Sequence, residues 1–124
     1  MDGDRIGLVA ATAGNGRAVK AASTDGRVKT IVMLTTTALT LSDQSKQYLG
    51  GSKVPIFAIA SSEDINYGAD NLSETTRKTY QASGNKDSEF LLFDSAGRGS
   101  EMLKTRPELQ TMIVRWFMEK LASK

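Results

Sequence analysis

Three short turns hold the residues of this chain that could do chemistry. The first, Ala10-Ala11-Thr12-Ala13-Gly14, offers a hydroxyl among small neighbours. The second, Ser61-Ser62-Glu63-Asp64, offers hydroxyls and carboxylates. The third, Ser95-Ala96-Gly97-Arg98-Gly99, offers a guanidinium between two glycines. A hydroxyl can attack or donate, a carboxylate can orient or take a proton, and a guanidinium can hold an anion in its planar fork. Much other chemistry is excluded. The 124 residues include no His and no Cys. Without His, the usual general base and the commonest metal ligand are missing. Without Cys, there is no disulfide, thiolate nucleophile or thiolate-bound metal. No metal and no cofactor are expected.

The elements that position these turns follow from hydrophobic patterning. Arg5 to Ala11 is a short apolar run between charged and glycine-rich neighbours, and reads as a buried strand entering a tight turn at Thr12 to Gly16. Arg17 to Ser23 is alanine-rich and reads as a helix ending near Asp25-Gly26. Val28 to Thr36 is β-branched and continuous, a second buried strand. Ser42 to Leu49 fits a short helix closed by Gly50-Gly51, and Val54 to Ala60 a third strand with Pro55 near its start. Asn71 to Ser83 sets Leu72, Thr75, Thr76, Thr79 and Tyr80 on one helical face. Glu89 to Phe93 is a fourth strand. A last helix covers Pro107 to Ala122, with Leu109, Met112, Ile113, Trp116, Phe117 and Leu121 at core spacing.

Apolar strands alternating with helices predict an α/β domain in three layers: a mostly parallel four-stranded sheet with helices on both faces. One domain spanning 1–124 suits this length. Lys plus Arg is 16 and Asp plus Glu 14, a net charge of +2 with no basic stripe, so nucleic acid is not an expected partner. No apolar run is long enough to span a membrane, and the charged opening Met1-Asp2-Gly3-Asp4-Arg5 is unlike a signal peptide. A cytoplasmic protein is expected.

In order along the chain, these segments resemble the C-terminal half of the α/β-hydrolases, nearest the esterase and dienelactone-hydrolase branch. Arg5-Ile6-Gly7-Leu8-Val9, the small-residue turn around Thr12 and the alanine-rich helix look like the nucleophile elbow. Val28 to Leu34 looks like the strand after it. Val54-Pro55-Ile56-Phe57 leading to Ser62-Glu63-Asp64 looks like the strand and turn that deliver the triad acid. Phe93 to Met102 looks like the loop that delivers the triad histidine. The resemblance places Thr12 at the nucleophile position, Asp64 at the acid and Arg98 at the histidine. Thr12 is β-branched, and the elbow demands a positive φ, so the turn is either relaxed or strained. Arginine keeps its proton near neutral pH and cannot be the base. The second oxyanion donor of the family comes from a loop after an earlier strand, outside this sequence.

The resemblance therefore implies a degenerate triad and a catalytically silent domain with a structural or interaction role, leaning away from an enzyme. Two other readings stay open. One is a residual or atypical ester hydrolase using Thr12. The other is a binder of a small anion or carboxylate at Ala13, Gly14 and Arg98, where a helix begins. Plainer roles exist for each residue: Thr12 as a turn hydroxyl, Asp64 as a turn or N-cap carboxylate, Arg98 as an ion-pair partner of Asp64. Gly14-Asn15-Gly16 suggests a dinucleotide fingerprint, but Val19 stands at its third glycine and no acid ends the next strand. In the family the strand matching Arg5 to Val9 is central. Here it is expected at the sheet edge, with a homodimer or a partner chain joined along it.

Overall fold

The computed structural model describes residues 5–12, 14–36, 43–51, 54–61, 72–94 and 101–121. Its elements are β1 (Ile6–Thr12), α1 (Gly14–Thr24), β2 (Val28–Thr36), α2 (Asp43–Gly50), β3 (Ile56–Ser61), α3 (Leu72–Ala82), β4 (Glu89–Phe93), α4 (Met102–Thr105) and α5 (Glu108–Lys120). The strands form a four-stranded sheet in the order β1-β2-β3-β4, and every neighbouring pair is parallel. The α/β class and the parallel sheet expected from the strand patterns are present.

Parallel neighbours joined by right-handed crossovers place their connecting helices on one face. The core reflects this. On one face Ala18, Val19 and Ala22 of α1 pack with Ile31 and Met33 of β2, with Leu49 of α2 and Ile56 of β3. On the other, Leu109, Ile113 and Trp116 of α5, with Met102 of α4, pack on Val32, Leu34, Phe57 and Ile59. Alternation along each strand assigns its side chains to the two clusters. β2 is buried at every position but Lys29, so it reads as a continuous apolar run.

Two elements differ from the sequence pattern. The helix α1 starts at Gly14, three residues before the alanine-rich stretch. Asn15 explains this. Its side chain is fully buried and bonds carbonyls of both β1 and β2, which ties the first turn to the sheet despite Gly14 and Gly16. The short α4 was not anticipated. It precedes Pro107 and is anchored by Met102, which is fully buried.

Gly84 shows how closely the connections pack. A Cβ at this position would collide with the Gly50 carbonyl oxygen, because the backbone after α3 crosses the end of α2 and the Gly84 N–H donates to Leu49 O at 2.8 Å.

The turn from α1 to β2 is closed by charge. The Arg27 N–H and Nε donate to Asp25 Oδ1 at 3.0 Å each, and its Nη2 donates to Oδ2 at 2.7 Å. These bonds, the side-chain bond foremost, bring the Asp25 carboxyl down to about 2. A depressed acid contributes stability that is fully present above its unfolded value of about 3.9. That contribution is lost as pH falls from there through about 2. Carboxyl-carbon NMR should show Asp25 titrating near 2, and Arg27→Ala should move it up toward the ordinary aspartate range. An unshifted Asp25 in the parent protein would refute the pairing.

Candidate functional site

Because all four strands run the same way, their carboxyl ends meet at one end of the sheet, where open α/β sheets bind ligands. Thr12 pairs with Thr36 and Ser61 with Phe93, so the turns after β1, β3 and β4 leave together. Of the residues singled out in the sequence, Thr12 and Gly14 can be placed at this end. Ala13, Asp64 and Arg98 lie outside the described residues, and with them the expected Asp64–Arg98 pair.

Thr12 has φ 50°, in the left-handed region that a β-branched residue avoids. Such a conformation costs about 1–3 kcal/mol and persists only where the surroundings impose it. Asn15 imposes it: its Nδ2 donates to Thr12 O at 2.8 Å and to Thr35 O at 3.1 Å, with Leu34 O at 3.5 Å. Thr35 is itself left-handed, at φ 52°. One buried amide therefore clamps two strained threonines on adjacent strands. Among the described residues, the Oδ1 of the same amide is buried without a hydrogen-bond partner. The Thr12 hydroxyl donates to Ala11 O at 2.8 Å, which spends its proton on its own backbone. Gly14 has open space where a side chain would sit, so its backbone is not pressed against a neighbour.

Behind this turn lies a second group of hydroxyls. Thr36 of β2 and Thr76 and Thr79 of α3 are fully buried. The Thr36 N–H donates to Thr76 Oγ1 at 3.0 Å, the hydroxyls of Thr36 and Thr79 are 2.9 Å apart, and Thr79 Oγ1 donates to Thr75 O at 2.9 Å. These bonds satisfy one another and lock α3 to the sheet, so the cluster reads as structural. Its sequence signal was the run of threonines on the buried face of α3. The clamp at Asn15 had a weaker signal, an amide between two glycines at a helix start.

Among the described residues no group of acidic side chains could hold a metal ion, and no helix is long and apolar enough to cross a membrane. A hollow lined by Ala22, Val28, Lys29, Tyr48 and Val54 opens at the opposite, amino end of the sheet, away from Thr12. No family model matches this chain, and neither a curated protein nor a solved structure matches it.

Proposed function

We propose that this chain is a catalytically silent α/β-hydrolase-like domain whose role is structural or interactive. One observation carries the reading. The last residue of β1 holds the left-handed backbone that a nucleophile elbow requires, yet it is Thr12 with its hydroxyl turned onto Ala11 O. The strain fits an inherited turn. A chain without histidine supplies no imidazole to take the proton. The turns after β3 and β4, which carry Asp64 and Arg98 in the sequence, start from the same end of the sheet. The interaction role rests on β1, which among the described residues lies at the sheet edge, where a second copy or a partner chain could pair with it.

The same strained turn also suits a second reading, weak ester hydrolysis or binding of a carboxylate or other small anion near Gly14 and Arg98. Short p-nitrophenyl esters separate the two. The expected result is no turnover above buffer, and no change in Thr12→Ala. Losing a triad member leaves only the small acceleration from binding and the oxyanion hole. Turnover well above buffer that vanishes in Thr12→Ala would overturn the silent-domain reading.

A further inference from the structure

We infer that the open side of β1 is the interface of a two-fold homodimer, in which two copies of β1 pair antiparallel about Val9. This rests on the interaction role proposed above and names its partner as a second copy of this chain.

The first observation is the backbone. The Ile6 N–H donates across to Arg27 O at 2.8 Å, so even-numbered residues of β1 face β2. Alternation then turns the N–H and C=O of Gly7, Val9 and Ala11 toward the open edge. This set is symmetric in size and carries no charge. An antiparallel copy puts Val9 opposite Val9, and Gly7 opposite Ala11, with nothing to clash or repel.

The second observation is the flank of α5. Val9 is in register with Val32, which packs under α5, so Val9 stands on the α5 face of the sheet. There it is 46% exposed. The Phe117 ring lies over Gly7, at 2.5 Å from where a Cβ would be, which sets that flank of α5 above β1. Continuing round the helix from Phe117 toward solvent come Leu121, Val114 and Met118. Val114 is 57% and Met118 73% exposed. Of the charges of α5, Glu108 falls on the opposite flank, Arg115 and Glu119 lie beyond Met118, where they line one hollow with Val114 and Met118, and Lys120 lies over the Trp116 ring. An uncharged strand edge and the apolar strip of α5 from Phe117 to Met118 therefore lie on one face of the sheet.

The other sheet edge shows the contrast. β4 begins with exposed Glu89, is followed by exposed Asp94, and has the Arg106 guanidinium 5.6 Å from the Phe93 ring. Charge of this kind blocks edge-to-edge pairing. β1 lacks it within the strand. A two-fold axis through Val9, perpendicular to the sheet, keeps both α5 helices on the same face. Their apolar flanks then face each other across the Val9 pair.

The test uses the absence of native cysteine. Across an antiparallel pair the Val9 Cα atoms would be about 5.5 Å apart, within the range a disulfide spans. Val9→Cys should oxidise to a cross-linked dimer, whereas Gln81→Cys, exposed on α3, should stay monomeric on denaturing gels. Sedimentation equilibrium of the unaltered protein should give a dimer at tens of micromolar. Met118→Lys should weaken it at least tenfold with an unchanged far-UV circular dichroism spectrum. A monomer at 100 μM, or a dimer in which Val9→Cys does not cross-link, would overturn the proposal. Esterase turnover lost in Thr12→Ala would instead overturn the silent-domain reading and leave the dimer standing.

Discussion

Replacing Trp116 by alanine is expected to cost about 3–5 kcal/mol, the largest loss at any single side chain of this protein. Trp116 is 5% exposed and its ring stacks on Phe57 at 4.9 Å. Its indole Nε1 donates to Thr30 Oγ1 at 2.8 Å, and Thr30 Oγ1 donates to Pro55 O at 2.8 Å. One side chain therefore ties α5 to β2 and, through Thr30, to the entry of β3. Alanine removes the ring, leaves a cavity and orphans one acceptor of Thr30. Against a total of about 5–15 kcal/mol, such a loss brings the domain close to unfolding. Trp116→Phe keeps most of the buried area and loses the bond, so about 1–2 kcal/mol is expected. Thr30→Val leaves the indole N–H buried without its partner, and about 1–3 kcal/mol is expected. The two milder variants share one bond, so their combined cost should fall short of the sum. Urea unfolding followed by far-UV circular dichroism gives these values, since the two Trp116 variants lose the only tryptophan. Strict additivity would show that the indole–hydroxyl bond does not exist in solution.

The second large effect is expected at Asn15. Asn15→Ala removes the donor shared by the carbonyls of Thr12, Leu34 and Thr35, all at buried or half-buried positions. A buried polar group left unpaired costs about 1–3 kcal/mol, and more than one is affected, so a loss of about 2–4 kcal/mol is expected. The two left-handed threonines would also lose what imposes their backbone. Asn15→Asp is the sharper variant. It keeps the shape but turns an oxygen toward three carbonyl oxygens, and an ionised carboxylate there would be buried and unpaired. Its cost should exceed that of alanine at pH 7 and shrink as the acid takes up a proton, which can serve as donor to one carbonyl. Urea unfolding monitored by Trp116 fluorescence at pH 7 and pH 4.5 reads both. If Asn15→Asp were as stable as the parent at pH 7, the clamp would be wrong.

The two sites differ in how they could be read beforehand. Trp116 was legible, because Leu109, Met112, Ile113, Trp116 and Phe117 keep helical spacing and a large aromatic on that stripe belongs in a core. Asn15 was not, since a sequence shows an amide near a helix start without showing which distant carbonyls it will meet. Thr12 lies between the two. Its place where the first strand runs out before a helix was legible from small neighbours on both sides. Whether that turn was relaxed or strained depended on Asn15 and on β2.

By itself the sequence determined the class of this protein and the limits of its chemistry. A continuous β-branched run such as Val28 to Thr36 reads as a strand covered on both faces, and β2 falls where that run begins and ends. The lack of His and Cys excludes imidazole and thiolate chemistry in any fold. Only the tertiary structure decided what depends on residues far apart in the chain. It set the order β1-β2-β3-β4, which puts β1 at the edge of the sheet among the described residues, with Val9 exposed. It began α1 at Gly14, because buried hydrogen bonds to the sheet outweigh the weak helix propensity of two glycines. It set Thr12 and Thr35 in left-handed backbone through one amide. Local propensity is a matter of tenths of a kcal/mol per residue. Buried hydrogen bonds and packed rings are each worth more, and they join segments that the sequence keeps apart.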